Sequence, residues 1–109
     1  MNKFRFHCGD ITLPNVGTIP GCANSGVRDI TECVDGTTLS VQASSSHYCT
    51  PRDNDGPYTH VEVWNIYATC APYFPDNWSE KYGGGDGEPF GYVPVEEVAA
   101  FISAHGGLK

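Results

Sequence analysis

The spacing of apolar positions changes along the chain, and each change marks an element. The plainest helical period is C-terminal: Val95, Val98, Ala99 and Ile102 recur at i, i+3, i+4 and i+7, with Phe101 on the flank of that stripe. Pro94 suits a first helical position, Glu96 and Glu97 fall in the first turn, and His105 falls in the last, as the helix dipole favours. Gly106 then supplies a left-handed stop. A period of two replaces this at Lys3-Phe4-Arg5-Phe6-His7-Cys8, which predicts a strand with one buried face. A second strand is predicted over residues 58–67, where Val61 and Val63 point one way and Trp64 and Ile66 the other. A run apolar on both sides predicts a central strand with both faces covered, His60 and Glu62 marking an exposed end.

Two β-rich runs, 27–34 and 37–43, flank Asp35-Gly36, a pair that accepts the positive φ of a type I′ hairpin turn. That turn sets Ile30 opposite Val41, and it sets Glu32 opposite Leu39. A carboxylate facing a leucine requires either a bulge that shifts the pairing or a partly wet sheet face. Residues 15–26 and 44–57, rich in Pro, Gly, Ser and Asp, read as connections. Residues 69–91 read as an irregular aromatic loop with a mobile glycine run at 83–87. The sum is one α+β domain over residues 1–109: a mostly antiparallel sheet of four to five strands with one C-terminal helix packed on it.

Charge narrows the function classes. The 109 residues carry 13 acidic and 6 basic side chains, a formal charge of −7, which disfavours a direct grip on nucleic-acid phosphates. No apolar run approaches the roughly 20 residues of a membrane helix. The basic opening residues have no apolar stretch behind them, unlike a secretory leader. The five cysteines, Cys8, Cys22, Cys33, Cys49 and Cys70, form no C-x-x-C pair. Reduced, buried thiols in a cytoplasmic protein are the expectation, with two disulfides and one free thiol as the alternative.

The densest polar cluster is His47, Cys49, Arg52, Asp53, Asp55, Tyr58, His60 and Glu62. His47, Cys49 and His60 are ligand types for zinc, and Cys49 beside a histidine is the composition of a thiol nucleophile. His60-Val61-Glu62 matches half of the zinc-deaminase signature, but the P-C-x-x-C half is missing. Asp53-Asn54-Asp55-Gly56 opens like a calcium loop, yet Trp64 stands where the twelfth-position Glu belongs. Residues 83–87 lack the Lys-Ser/Thr ending of a phosphate loop. No cofactor is expected.

Surface offers more than chemistry. Asp53, Asp55, Asp76, Glu80, Asp86 and Glu88 lie in the two long connections, beside Tyr58, Trp78, Tyr82, Phe90 and Tyr92. Aromatic anchors among acids suit a protein that docks on a basic partner, with Tyr58, Trp78 and Tyr82 as the anchors.

The stretches Val41-Gln42-Ala43-Ser44, His47-Tyr48-Cys49-Thr50-Pro51-Arg52 and Gly56-Pro57-Tyr58-Thr59-His60-Val61-Glu62-Val63 resemble small proteins of phages and other mobile elements. So do Tyr92-Val93-Pro94-Val95-Glu96-Glu97-Val98, Phe101-Ile102 and His105-Gly106-Gly107. In size and acidity the chain also resembles anti-CRISPR proteins, a group without a common fold or motif. That resemblance implies a non-enzymatic inhibitor in the host cytoplasm, monomeric or a small homo-oligomer. It would block DNA access to a basic face of a host protein or ribonucleoprotein, without contacting nucleic acid or membrane itself. Two other classes stay open: a metal- or thiol-dependent enzyme or sensor using His47, Cys49 and His60, and a self-assembling protein that pairs through a sheet edge.

Overall fold

The computed structural model describes residues 8–22, 27–64, 74–75, 77–85 and 88–109. The predicted strand at residues 3–8 therefore lies outside the described residues, apart from Cys8. The described chain is α+β, as expected. A two-stranded antiparallel hairpin, β1 (Ile11–Leu13) and β2 (Gly17–Ile19), accompanies a four-stranded antiparallel meander. The meander runs in order through β3 (Thr31–Glu32), β4 (Thr38–Gln42), β5 (His60–Trp64) and β6 (Phe90–Pro94). Helix α1 (Asn77–Tyr82) precedes β6 and helix α2 (Val95–Ala104) follows it.

The hairpin β1–β2 corrects the expectation of a plain connection at residues 15–26. Pro14 and Asn15 make its turn, with Asn15 at φ 61° and the Val16 N–H donating to the Leu13 carbonyl. Asn tolerates the left-handed region better than most residues. So short a hairpin is marginal alone. Its buried Ile11, Leu13 and Ile19 join the common core, and β1 packs against α2.

The β3–β4 hairpin resolves the Glu32–Leu39 conflict by a shift of one residue. Thr31 pairs with Leu39 and Glu32 with Thr38, so the two buried residues face the core and the carboxylate faces water. The shift comes from a longer turn. The Cys33 N–H donates to the Thr37 carbonyl, the Gly36 N–H donates to the Cys33 carbonyl, and Gly36 sits at φ 94°. This is the geometry of a type I turn followed by a left-handed glycine, not a two-residue I′ turn.

Strand β5 is central, between β4 and β6, but covered on one face only. Val61 and Val63 are fully buried, while His60 and Glu62 are half-buried and Trp64 is 37% exposed. Ile66 lies outside the described residues. The β5–β6 ladder shifts between Val61 and Val63, pairing Val61 with Val93 and Val63 with Phe90. Glu62 thus faces both Gly91 and Tyr92, a bulge. Tyr92 there adopts φ 56°.

Helix α2 begins one residue later than predicted, because Pro94 ends β6 at ψ 140° and serves as the N-cap. Val95, Val98, Ala99, Phe101 and Ile102 are buried against β1 and β6. Gly106, at φ 94°, ends the helix, and the Gly107 N–H returns to the Ile102 carbonyl. Helix α1 replaces the irregular loop expected around residue 78. Its Trp78 is 1% exposed and stacks on Phe74 at 5.3 Å, with Phe90 and Phe101 at 5.5 and 6.0 Å.

The cysteines are not all reduced. Cys8 and Cys22 form a disulfide, and Cys33 and Cys49 are free and buried. Cys70 lies outside the described residues. The hairpin explains the pairing: Ile11 faces Ile19, and the same register carried outward sets Cys8 opposite Cys22.

Candidate docking face

Residues 44–57 form an ordered connection pinned at both ends. The Ser45 N–H donates to Asn54 Oδ1, the Gly9 N–H to the Asn54 carbonyl, and the Tyr58 hydroxyl to the Asp53 carbonyl. Both X-Pro bonds in this stretch, Thr50-Pro51 and Gly56-Pro57, are cis. At its middle the loop lays Tyr48 on the outer face of the sheet, over the bulge. The Tyr48 N–H donates to Glu62 Oε1 at 3.2 Å, and the Tyr48 carbonyl accepts from the Tyr92 N–H at 3.1 Å. A β-carbon on Gly91 would stand 3.1 Å from the Tyr48 β-carbon, so a side chain there would push Tyr48 outward by a few tenths of an ångström.

The two tyrosine rings meet at 6.0 Å with a 42° tilt, and Arg52 sits 5.5 Å above the Tyr48 ring. Tyr48 is 48% exposed and Tyr92 46%. Trp64 shares the outward face of β5 with Glu62, two residues along. Asp53 and Asp55 follow Arg52 in the same loop, both exposed. Asp53 Oδ1 accepts the N–H groups of Gly56 and Asp55, which hold its carboxyl below the usual range. Its charge persists at neutral pH while its side chain closes the turn.

The other predicted contact residues are dispersed. Glu80 is exposed on α1, and Glu88 is exposed where it pairs back to Gly85. Those acids belong to the α1–β6 side of the molecule, whereas the Asp53–Asp55 turn rests against Gly9. Asp76 and Asp86 lie outside the described residues. Two of the three expected anchors are corrected. Trp78 is sealed in the aromatic core, and Tyr58 is 4% exposed with Arg28 5.7 Å from its ring. Tyr82 is half-buried, edge-on to Trp78 at 5.7 Å, and burial together with Glu97 pushes its hydroxyl pKa up. An apolar ring beside a proline or an acid in sequence goes to whichever side completes the core, and here the core took Tyr58, Trp78 and Phe90.

The residues of the enzyme alternative are held in structural hydrogen bonds. Cys49 is 2% exposed, its thiol directed at the carbonyls of Ser44 and Pro51. Burial pushes that thiol up, the opposite of what a nucleophile requires. His47 Nδ1 lies 2.6 Å from Ser44 Oγ, and burial pulls its pKa down. His60 Nδ1 lies 2.8 Å from Thr59 Oγ1. Among the described residues no group of three or more His, Cys, Asp or Glu side chains is placed to hold a metal ion. No described helix is long and apolar enough to cross a membrane.

Comparison with known proteins finds no family model that matches the chain, no similar curated protein and no matching solved structure.

Proposed function

We propose that this chain is a non-enzymatic binding protein that docks on a basic, nucleic-acid-binding surface of a partner and competes there with DNA. The paired, half-exposed rings of Tyr48 and Tyr92 carry this reading. Exposed aromatic pairs with a polar rim are the usual anchors of protein interfaces. A non-glycine residue in the left-handed region is sparsely populated and costs roughly 1 kcal/mol or more, so Tyr92 is held at φ 56° against its own preference. The result is a tyrosine turned outward beside a second one.

The surrounding charge selects the partner. Glu62 accepts the Tyr48 N–H, Arg52 is engaged by the Tyr48 ring, Asp53 and Asp55 follow Arg52 in the same loop, and the chain as a whole carries −7. A positive surface that normally holds nucleic acid is complementary to that field. CRISPR effector complexes, suggested by the resemblance in size and acidity, are partners of this chemistry.

Displacement of labelled duplex DNA from purified effector complexes tests the proposal. The chain is expected to displace DNA, with an association rate that falls about tenfold or more as salt rises past physiological ionic strength. Tyr48→Ala and Asp53→Lys/Asp55→Lys are expected to abolish displacement, and Glu80→Lys/Glu88→Lys to leave it within about twofold. A salt-independent rate, or full activity in the Tyr48→Ala protein, would overturn it.

A further inference from the structure

We infer that Trp64, Glu62 and Tyr92 form a cradle for one arginine side chain of the partner, its guanidinium held against the rings and bonded to the Glu62 carboxylate. Sheet geometry brings the three together. Glu62 and Trp64 stand two residues apart on β5 and share its outward face. The ladder shift between Val61 and Val63 sets Glu62 against Gly91 and Tyr92, and Tyr92 is exposed there. Trp64 and Tyr92 are then diagonal neighbours across the two strands, a spacing of roughly 7–8 Å that long and aromatic side chains span.

Both rings are open to an incoming group. Tyr92 touches the Tyr48 ring and no other ring among the described residues, and Trp64 touches none. The cation–ring contacts of the described residues fall on Tyr58, Tyr48 and Tyr82, so neither Tyr92 nor Trp64 has a cation over it.

The floor between them is a half-buried carboxylate with bonding capacity to spare. Glu62 Oε1 accepts the Tyr48 N–H at 3.2 Å, and Oε2 takes no hydrogen bond among the described residues. Glu62 also forms no ion pair there, since those pairs join His105 to Asp35 and Lys109 to Glu32. His47 feels the Glu62 charge, but burial, with Arg28 and Arg52, pulls its pKa down and favours the neutral ring. A carboxylate that has given up part of its water without gaining a cation is completed by a charge-assisted hydrogen bond.

The adjoining ring shows which cation suits this surface. Arg52 lies 5.5 Å above Tyr48, a guanidinium already placed over a tyrosine of the same face. Arginine presents a flat side to a ring and an edge of N–H donors to a carboxylate at the same time. A lysine ammonium is a compact, strongly hydrated point charge and cannot do both as well. Arginine is also a principal means by which nucleic-acid-binding surfaces hold phosphates, so one seated on Glu62 is withdrawn from DNA. That last role rests on the docking reading, whereas the cradle's affinity for a free guanidinium does not.

The test is a chemical-shift titration of the full chain with N-acetyl-arginine-N-methylamide at constant ionic strength. Saturable shifts are expected at Glu62, Trp64 and Tyr92, with a dissociation constant on the order of 1–10 mM for one side chain. The citrulline analogue, equal in shape but uncharged, and the lysine analogue are each expected to bind about fivefold more weakly or worse. Glu62→Gln keeps an acceptor for the Tyr48 N–H and removes the charge. It and Trp64→Ala are each expected to weaken binding about fivefold or more. Glu80→Lys/Glu88→Lys, a larger charge change away from the cradle, is expected to alter it less than about twofold. No saturable shifts at the three residues overturns the proposal, as does equal affinity for citrulline or lysine, or for the Glu62→Gln protein. DNA displacement that persists in full in Glu62→Gln and Trp64→Ala also overturns it and leaves the docking reading intact. Arginine binding without DNA displacement upholds the cradle and removes the docking reading.

Discussion

His105 Nδ1, at the end of α2, lies 2.7 Å from Asp35 Oδ2, at the tip of the β3–β4 turn. Residues 70 positions apart are thus joined, and the Asp35 N–H donates to the His105 carbonyl beside them. The same carboxylate accepts the Thr37 N–H at 2.9 Å, and Thr37 Oγ1 lies 3.0 Å from His105 Nδ1. Helix end and hairpin turn share one polar clasp.

That clasp sets a direction for acid stability. The Thr37 N–H, followed by His105, holds the Asp35 carboxyl below its usual range. A carboxyl depressed in the folded state contributes stability that is present above its unfolded pKa and lost as pH falls through the folded value. Asp35→Asn is therefore expected to lower the melting temperature at pH 6, and that difference is expected to shrink progressively as pH falls below the ordinary carboxylate value of about 3.9. Thermal melts of both proteins across pH 2.5–7, on the order of one melt per half unit, check it. A difference that persists undiminished at the acid end contradicts the clasp.

The disulfide encloses the β1–β2 hairpin, a closed loop with a sequence separation of 14. A loop of that size is worth about 3 kcal/mol, chiefly through the unfolded chain. Cys8→Ser/Cys22→Ser is expected to lose about that much in urea unfolding. Thiol counting in denaturant should find two fewer thiols in the oxidised protein than in the reduced one. In the native protein Cys33 and Cys49 should react slowly, since both are buried and burial pushes the Cys33 thiol up to about 11. Equal thiol counts before and after reduction would remove the bond.

How far the sequence reaches is clearest at this hairpin. The C-terminal stripe from Val95 to Ile102 and the strand around Val61 were legible because many residues repeat one period. Three residues of β1 and three of β2 are too few for that, so Pro14 and Gly17 read as breakers, whereas Pro14 belongs to the hairpin turn and Gly17 opens β2. With the hairpin in hand, the Cys8–Cys22 pairing would have followed from register. The docking face divides in the same way. The parity of β5 already sets Trp64 beside Glu62, opposite Val61 and Val63, but nothing local separates Tyr48 and Tyr92 from Tyr58 and Trp78. All four rings sit among polar residues or prolines, and only the packed core determines which ones it takes.

Arg28 is a cation the core has absorbed. It is 4% exposed, and its guanidinium donates through Nη1 to the Ala43 carbonyl at 2.7 Å and through Nη2 to the Gly9 carbonyl. Its own backbone is bracketed by the Gln42 amide, which accepts from the Arg28 N–H and donates to the Arg28 carbonyl. One side chain thus ties the disulfide strap at Gly9 to the end of β4. Arg28→Ala leaves two carbonyls without their charged donor and is expected to cost about 3 kcal/mol. Arg28→Lys, which reaches one carbonyl at a time, should recover less than half of that. Urea midpoints of the two variants decide it, and a cost under about 1 kcal/mol for Arg28→Ala would mean that water takes over both carbonyls.

Tyr92 separates folding from docking. At φ 56° an L-residue is strained by about 1 kcal/mol or more relative to glycine, which enters this region freely. Replacement by glycine removes the ring and the strain together, whereas alanine removes the ring and keeps the strain. Tyr92→Gly is therefore expected to be about 1 kcal/mol more stable than Tyr92→Ala, although glycine in an ordinary strand position is the worse of the two by a similar amount. Both variants should lose DNA displacement alike, because both lose the ring that pairs with Tyr48. The stability order comes from urea unfolding and the functional loss from the displacement assay. An alanine variant as stable as the glycine variant would mean that the backbone relaxes out of the left-handed region once the ring is gone. Tyr92 would then be held outward by its ring contact with Tyr48 rather than by the bulge.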